Sequence, residues 1–123
     1  MAFSYYCGMN WNQLTDIAQL DTIDSDSATQ AVLIFKHSTR CSTSSMALAR
    51  VERSWNTQAA NLLTPYYLDL IKHRDISNAI ATRYGVEHQS PQALVISNGC
   101  CIFAQTHLAI SVEEILEETQ QGE

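Results

Sequence analysis

The chain has 123 residues, 46% of them apolar, with only 4 Gly and 2 Pro. That composition excludes a disordered, collagenous or low-complexity protein and fits one globular domain large enough to bury a core. A net charge of −6 without any basic cluster excludes the electrostatic footprint of a duplex nucleic-acid binder.

No apolar run approaches the ~20 residues of a bilayer span. The first residues, Met-Ala-Phe-Ser-Tyr-Tyr-Cys, lack the basic start and apolar core of a signal peptide. Both features point to the cytoplasm, with no membrane partner. In that reducing compartment Cys7, Cys41, Cys100 and Cys101 are expected as free thiols.

Residues 1–9 read as a flexible N-terminal tail and residues 10–123 as a single domain. From Asn10, the residues Trp11, Leu14, Ile17 and Ala18 share one face of a helix ending near Leu20. Asp24-Ser25-Asp26-Ser27 reads as a polar linker. The run Ala31–His37 is apolar and rich in β-branched residues, so it predicts a central strand. A helix is expected over about Ser42–Gln58, then a strand over Tyr66–Lys72 opened by Thr64-Pro65. Two strands joined by a helix make a right-handed parallel βαβ unit. Asp75 is placed to cap a helix whose core face is Ile76, Ala79, Ile80 and Tyr84, stopped by Gly85. Gln92–Ser97 and Cys100–Gln105 flank Asn98-Gly99, a strong hairpin signal. Ser111-Val112-Glu113-Glu114 is a capping box that starts a last helix. With its leading helix set aside, the order βαβ-α-ββ-α predicts a thioredoxin-like α/β fold. Its sheet is expected to be four-stranded and mixed.

Chemistry concentrates at one junction. Strand residues Ala31–His37 run into the turn Ser38-Thr39-Arg40, then Cys41, then a helical pattern through Ser44, Leu48, Val51 and Trp55. A cysteine at a helix N-terminus faces free backbone N–H groups and the positive end of the macrodipole, which favour thiolate over thiol. His37 and Arg40 are candidates to favour that thiolate by charge, and Arg40 to grip a substrate carboxylate. Ser44 stands three residues after Cys41, in reach to donate to the sulfur or simply polar in the first helical turn. His107 follows the last strand and is a candidate to approach the same site. Cys100 and Cys101 are adjacent in a strand, so their side chains leave opposite faces and neither bridge nor join His107 around a metal. One is expected in the core and the other under a helix. Cys7, on the tail, is the remaining remote thiol.

The strings His37-Ser38-Thr39-Arg40-Cys41-Ser42-Thr43-Ser44, Arg74-Asp75-Ile76-Ser77, His88-Gln89-Ser90-Pro91-Gln92 and Thr106-His107 together resemble the bacillithiol-system redox-active family, the YtxJ-like monothiol bacilliredoxins of the thioredoxin superfamily. The resemblance covers roughly residues 10–117. Many members carry Cys-Pro-x-Ser, where this chain has Ser42 in place of the proline. The resemblance implies that Ser90-Pro91 is a cis peptide facing the active cysteine, with Ser90 offering backbone groups to a substrate chain. It implies that Cys41 removes a small thiol, bacillithiol, from S-thiolated client proteins, with no bound cofactor and with a second small thiol or a reductase completing the cycle. Residue chemistry alone does not separate bacillithiol from glutathione or coenzyme A. Two other classes stay open: an iron–sulfur protein of monothiol-glutaredoxin type, with Cys41 as a ligand, and a redox-inert thioredoxin-like interaction module.

Overall fold

The computed structural model describes residues 9–121. Its centre is β2 (Ala31–His37), in which all seven residues are buried. A strand buried on both sides must carry apolar residues at both parities, and the alternation of Cβ directions sorts them into two layers. Ala31, Leu33 and Phe35 join a cluster with Ala47, Val51, Ala59 and Ile115. Val32 and Ile34 join a second cluster with Leu20, Ile23, Ile76 and Ile80.

The described residues form a five-stranded sheet, where four strands were expected, in the order β1-β3-β2-β4-β5. β3 (Leu63–Asp69) pairs parallel with β2, Ala31 opposite Leu63 and His37 opposite Asp69. β4 (Gln92–Ser97) runs antiparallel on the other side, Lys36 opposite Gln92, and β5 (Cys100–Thr106) closes that edge. The extra strand is β1 (Asn12–Gln13), paired parallel with Tyr66 and Tyr67 of β3.

Of the helix expected over Asn10–Leu20 only Gln19 and Leu20 are helical; β1 takes Asn12–Gln13, and irregular backbone and a turn lead on to α1. Trp11 packs on the first cluster whereas Leu14 is buried in the second. Residues that serve opposite faces of a sheet need extended backbone, so the helical spacing was coincidental. The first helix, α1 (Gln19–Asp26), starts where Asp16 Oδ1 accepts from Ala18 N and Gln19 Oε1 accepts from Thr15 N. It takes in most of the stretch expected as a linker. Leu20 and Ile23 face the core, while Asp24 accepts from Arg83 Nη1 at 2.9 Å and Tyr84 Oη at 2.6 Å.

The helix expected over Ser42–Gln58 is two helices, α2 (Ser42–Ser54) and α3 (Thr57–Leu62). Trp55 turns extended, and Asn56 Oδ1 accepts from Ala59 N at 2.9 Å, an N-cap that restarts the chain in a new direction. β3 therefore begins three residues earlier than expected. It stops where Asp69 Oδ1 accepts from the backbone N–H groups of Ile71 and Lys72.

α4 (Arg74–Tyr84) has His73, not Asp75, at its N-cap, with Asp75 in the first turn. Gly85 ends it at φ 66°, a left-handed conformation that favours glycine. Asn98 and Gly99 both have positive φ, 52° and 74°, as a tight hairpin requires. α5 (Val112–Gln121) follows a 3₁₀ turn at His107–Ala109. Glu114 N donates to Ser111 Oγ as the capping box predicts. The return half is relayed: Ser111 N donates to Gln105 Oε1, and Gln105 Nε2 donates to Glu114 Oε1.

The tail expected at residues 1–9 lies outside the described residues apart from Met9, which is half-buried against the first cluster. Cys7 lies outside them too. Among the described residues, no helix is long and apolar enough to cross a membrane.

Candidate functional site

The register brings the candidate residues to one end of the sheet. β2 ends at His37 and β4 begins at Gln92, opposite Lys36, so Pro91 stands one step on beside His37. The Ser90-Pro91 peptide is cis. After His37 the chain turns through Ser38-Thr39-Arg40, closed by Cys41 N donating to Ser38 O at 3.2 Å. Cys41 is then the N-cap of α2, with extended backbone (φ −118°, ψ 120°), and its carbonyl accepts from Ser45 N at 3.1 Å. The thiol is half-buried and free. Cys41 makes no side-chain capping hydrogen bond, so its sulfur is not tied up by the first turn of α2.

Ser44 is fully buried below that turn. Its Oγ accepts from Ser38 N at 3.0 Å and lies 2.7 Å from His37 Nδ1. An oxygen that already accepts from an N–H has its own hydrogen left for the imidazole. Ser44 thus fastens the Ser38–Cys41 turn to the strand end, and both of its hydrogen bonds run to that strand and turn. His37 is buried between Phe35 and Tyr67, with ring centroids 6.4 and 5.7 Å away. Burial pushes its pKa down, opposed in part by the negative charges of Asp69 and Glu52. That favours a neutral imidazole, against the charged role expected from the sequence.

Arg40 is exposed at the tip of the turn, and Ser42 is exposed at the first position of α2. His107 is exposed at φ 56°, and its backbone N–H donates to Pro91 O at 3.1 Å. The main chain of His107 therefore meets the proline peptide while its ring faces solvent. Ser90 Oγ is buried with no hydrogen-bond partner among the described residues.

Cys101 pairs with Ile96 and Ile96 with Val32, which puts the Asn98-Gly99 hairpin at the far end of β2 from Cys41. Five strand residues separate the two ends, about 17 Å of rise. Cys101 is half-buried on the second cluster, and its pKa is pushed up by burial. Cys100 is exposed, not covered by a helix as expected, because β5 is an edge strand.

One group at the site escaped the sequence reading. Lys36, one residue before the end of β2, is fully buried on the face of Val32 and Ile34. Its Nζ donates to Ser77 O at 3.2 Å and lies 3.3 Å from His88 Nδ1. The signal was its parity, since a lysine in phase with two core residues of a central strand has nowhere to go but inward.

A protein-family model described as monothiol bacilliredoxin BrxC matches residues 12–115. A solved structure described as a candidate oxidoreductase with a thioredoxin fold is 27% identical, with a TM-score of 0.73 over 86% of this chain and 90% of that one. Thioredoxin of Malassezia sympodialis (Mala s 13) is 16% identical, with a TM-score of 0.72 over 98% and 97%. Thioredoxin of Fasciola hepatica is 13% identical, with a TM-score of 0.66 over 90% and 98%. The last two show the shared fold.

Proposed function

Because this chain belongs to the monothiol bacilliredoxin family of thioredoxin-fold thiol-redox proteins, we propose that it removes a low-molecular-weight thiol from protein mixed disulfides through Cys41. The observation that carries the reading is the pairing of a half-exposed Cys41 at the α2 N-cap with a buried, doubly hydrogen-bonded Ser44. Ser44 sits where a dithiol enzyme would hold its resolving thiol. A serine there leaves Cys41 with no resolving thiol in its own helical turn.

The cycle then has two displacements. Cys41 thiolate attacks the small-thiol sulfur of the client mixed disulfide. A Cys41–small-thiol disulfide forms, the client's S–S bond breaks, and the client sulfur leaves as thiolate and takes a proton from solvent. A second molecule of small thiol, as its thiolate, attacks the adduct. Cys41 thiolate is regenerated and the oxidised small-thiol dimer departs, so the one disulfide passes from the client to the small-thiol pair; a reductase can release the small thiol from Cys41 instead. Bacillithiol is the co-substrate that the family implies. Cys41, at the N-cap of α2, is the attacking sulfur in the first step and the leaving sulfur in the second. Arg40, exposed beside the sulfur, is assigned to the carboxylates of the small thiol. Ser90 and Pro91 are assigned to the client chain, with the Ser90 backbone free to pair with it. Ser44 with His37 anchors the turn that leads into α2, Ser42 adds a backbone N–H at the first position of the helix, and His107 braces Pro91 from its main chain.

Intact mass spectrometry after incubation with oxidised bacillithiol, and separately with oxidised glutathione, tests this directly. The expected result is one bacillithiol adduct per chain, mapping to Cys41 and absent in Cys41→Ser. Release of bacillithiol from a thiolated client at an undiminished rate by Cys41→Ser would sink the assignment.

A further inference from the structure

The layer between the sheet and α1/α4 is largely apolar, with polar side chains entering it near the site. There two buried polar side chains, Lys36 and Gln92, face each other across adjacent strands. Both reach the same segment, residues 86–90, which leads into Ser90-Pro91: Gln92 through both ends of its amide and Lys36 through His88. Gln92 Nε2 donates to Glu87 O at 3.0 Å, and Gln92 Oε1 accepts from Gln89 N at 3.4 Å. Lys36 Nζ bridges the α4 carbonyl of Ser77 and His88 Nδ1, and Ser77 Oγ lies 3.2 Å from the same nitrogen. An ammonium only donates, so Nδ1 is the acceptor and the imidazole is neutral. Burying a cation in an apolar layer is costly, and a methionine of similar length would fill the same space without that cost. The cation is therefore retained for what it holds, not for the stability of the core.

We propose that Lys36 is a positioning residue for the thiol-transfer site. Its ammonium fixes residues 86–90 so that Ser90-Pro91 meets a client chain at the right distance from Cys41. The inference rests on the reading of Cys41 as the transferring thiol and extends it to a group on the opposite face of the sheet. Lys36 does not touch the sulfur side of β2, where His37 and Ser44 lie, so it acts on client binding and not on thiol reactivity. Burial pushes the Lys36 pKa down to about 8, and burial with the charges of Lys36 and Arg74 pushes the His88 pKa down, both consistent with a tight bridge.

The test uses the full chain and two substrates: a short peptide whose cysteine is in a mixed disulfide with bacillithiol, and 2-hydroxyethyl disulfide, which has no peptide backbone. Lys36→Met and His88→Ala are each expected to raise KM for the peptide roughly tenfold, the scale of a lost hydrogen bond to a charged group. kcat and the reaction with 2-hydroxyethyl disulfide should change little. The double variant should be no worse than the poorer single one, because both changes break one bridge. Should Lys36→Met fail to fold, His88→Ala, at an exposed residue, decides alone. An unchanged peptide KM overturns the inference, and so does an equal loss on both substrates, which would mean general damage. Cys41→Ser in the same assay separates the layers. Transfer that persists there removes the underlying reading and this inference with it. Transfer lost there, with peptide KM intact in the other variants, removes the inference alone.

Discussion

On the proposed reading Ser44 limits the chemistry open to Cys41, and it is fully buried. Its hydroxyl replaces a second thiol and at the same time satisfies Ser38 N–H and His37 Nδ1. Ser44→Ala strands both groups inside the protein. A buried polar group left without a partner costs about 1–3 kcal/mol, so a clear fall in the midpoint of chemical denaturation is expected. Ser44→Cys restores a dithiol spacing. Oxidation of that variant should give a disulfide between residues 41 and 44, seen as a mass loss of two hydrogens and loss of alkylation at Cys41, which the parent, with Ser44, has no thiol at position 44 to form. A Ser44→Cys protein that still accumulates a stable small-thiol adduct under the same oxidation would show that residues 41 and 44 do not meet.

The elements around the site were set by short polar signals more than by long apolar patterns. Asn56 is the clearest case. It caps α3 through Ala59 N and so divides what hydrophobic spacing alone presents as one helix. Asn56→Ala removes that cap at a cost of about 1 kcal/mol, measurable by urea denaturation, while the transfer rate of Cys41 should hold because α2 ends before it. Asn98-Gly99 works the other way. The dipeptide demands positive φ at both residues, and the hairpin forms where the sequence says it must.

At the scale of the whole molecule, the sheet separates two layers with different duties. The layer of α2, α3 and α5 carries the thiol turn, and the layer of α1 and α4 carries the buried Lys36. The Lys36 pKa is lowered from 10.5 to about 8, so between those values the unfolded chain binds the proton that the folded protein has released. Where the unfolded state binds more protons, stability rises with pH. The folded protein should therefore gain stability relative to Lys36→Met as pH rises from about 8 towards 10.5, having been the less stable of the two at pH 7. Urea midpoints of the two proteins at pH 7, 9 and 10 check this, and taking their difference cancels the titrating groups that both share. Parallel curves across the window would mean that Lys36 is solvated.

By itself the sequence determined the central strand, the cysteine at the start of α2, the stop at Gly85, the hairpin and the last helix. In each of these the cause is local: a run of β-branched residues, a required positive φ, or a cap within three residues. The resemblance carried by the strings around Cys41 and Pro91 likewise pointed to a family, because those strings are contiguous. Only the tertiary structure decided that Trp11 and Leu14 serve opposite layers, which turned an expected helix into a fifth strand. It also decided that His37 is neutral, that Cys100 lies on an open edge, and that Lys36 turns inward to His88. Those outcomes depend on burial and on partners tens of residues away, and neither quantity is written in a residue's own neighbourhood along the chain.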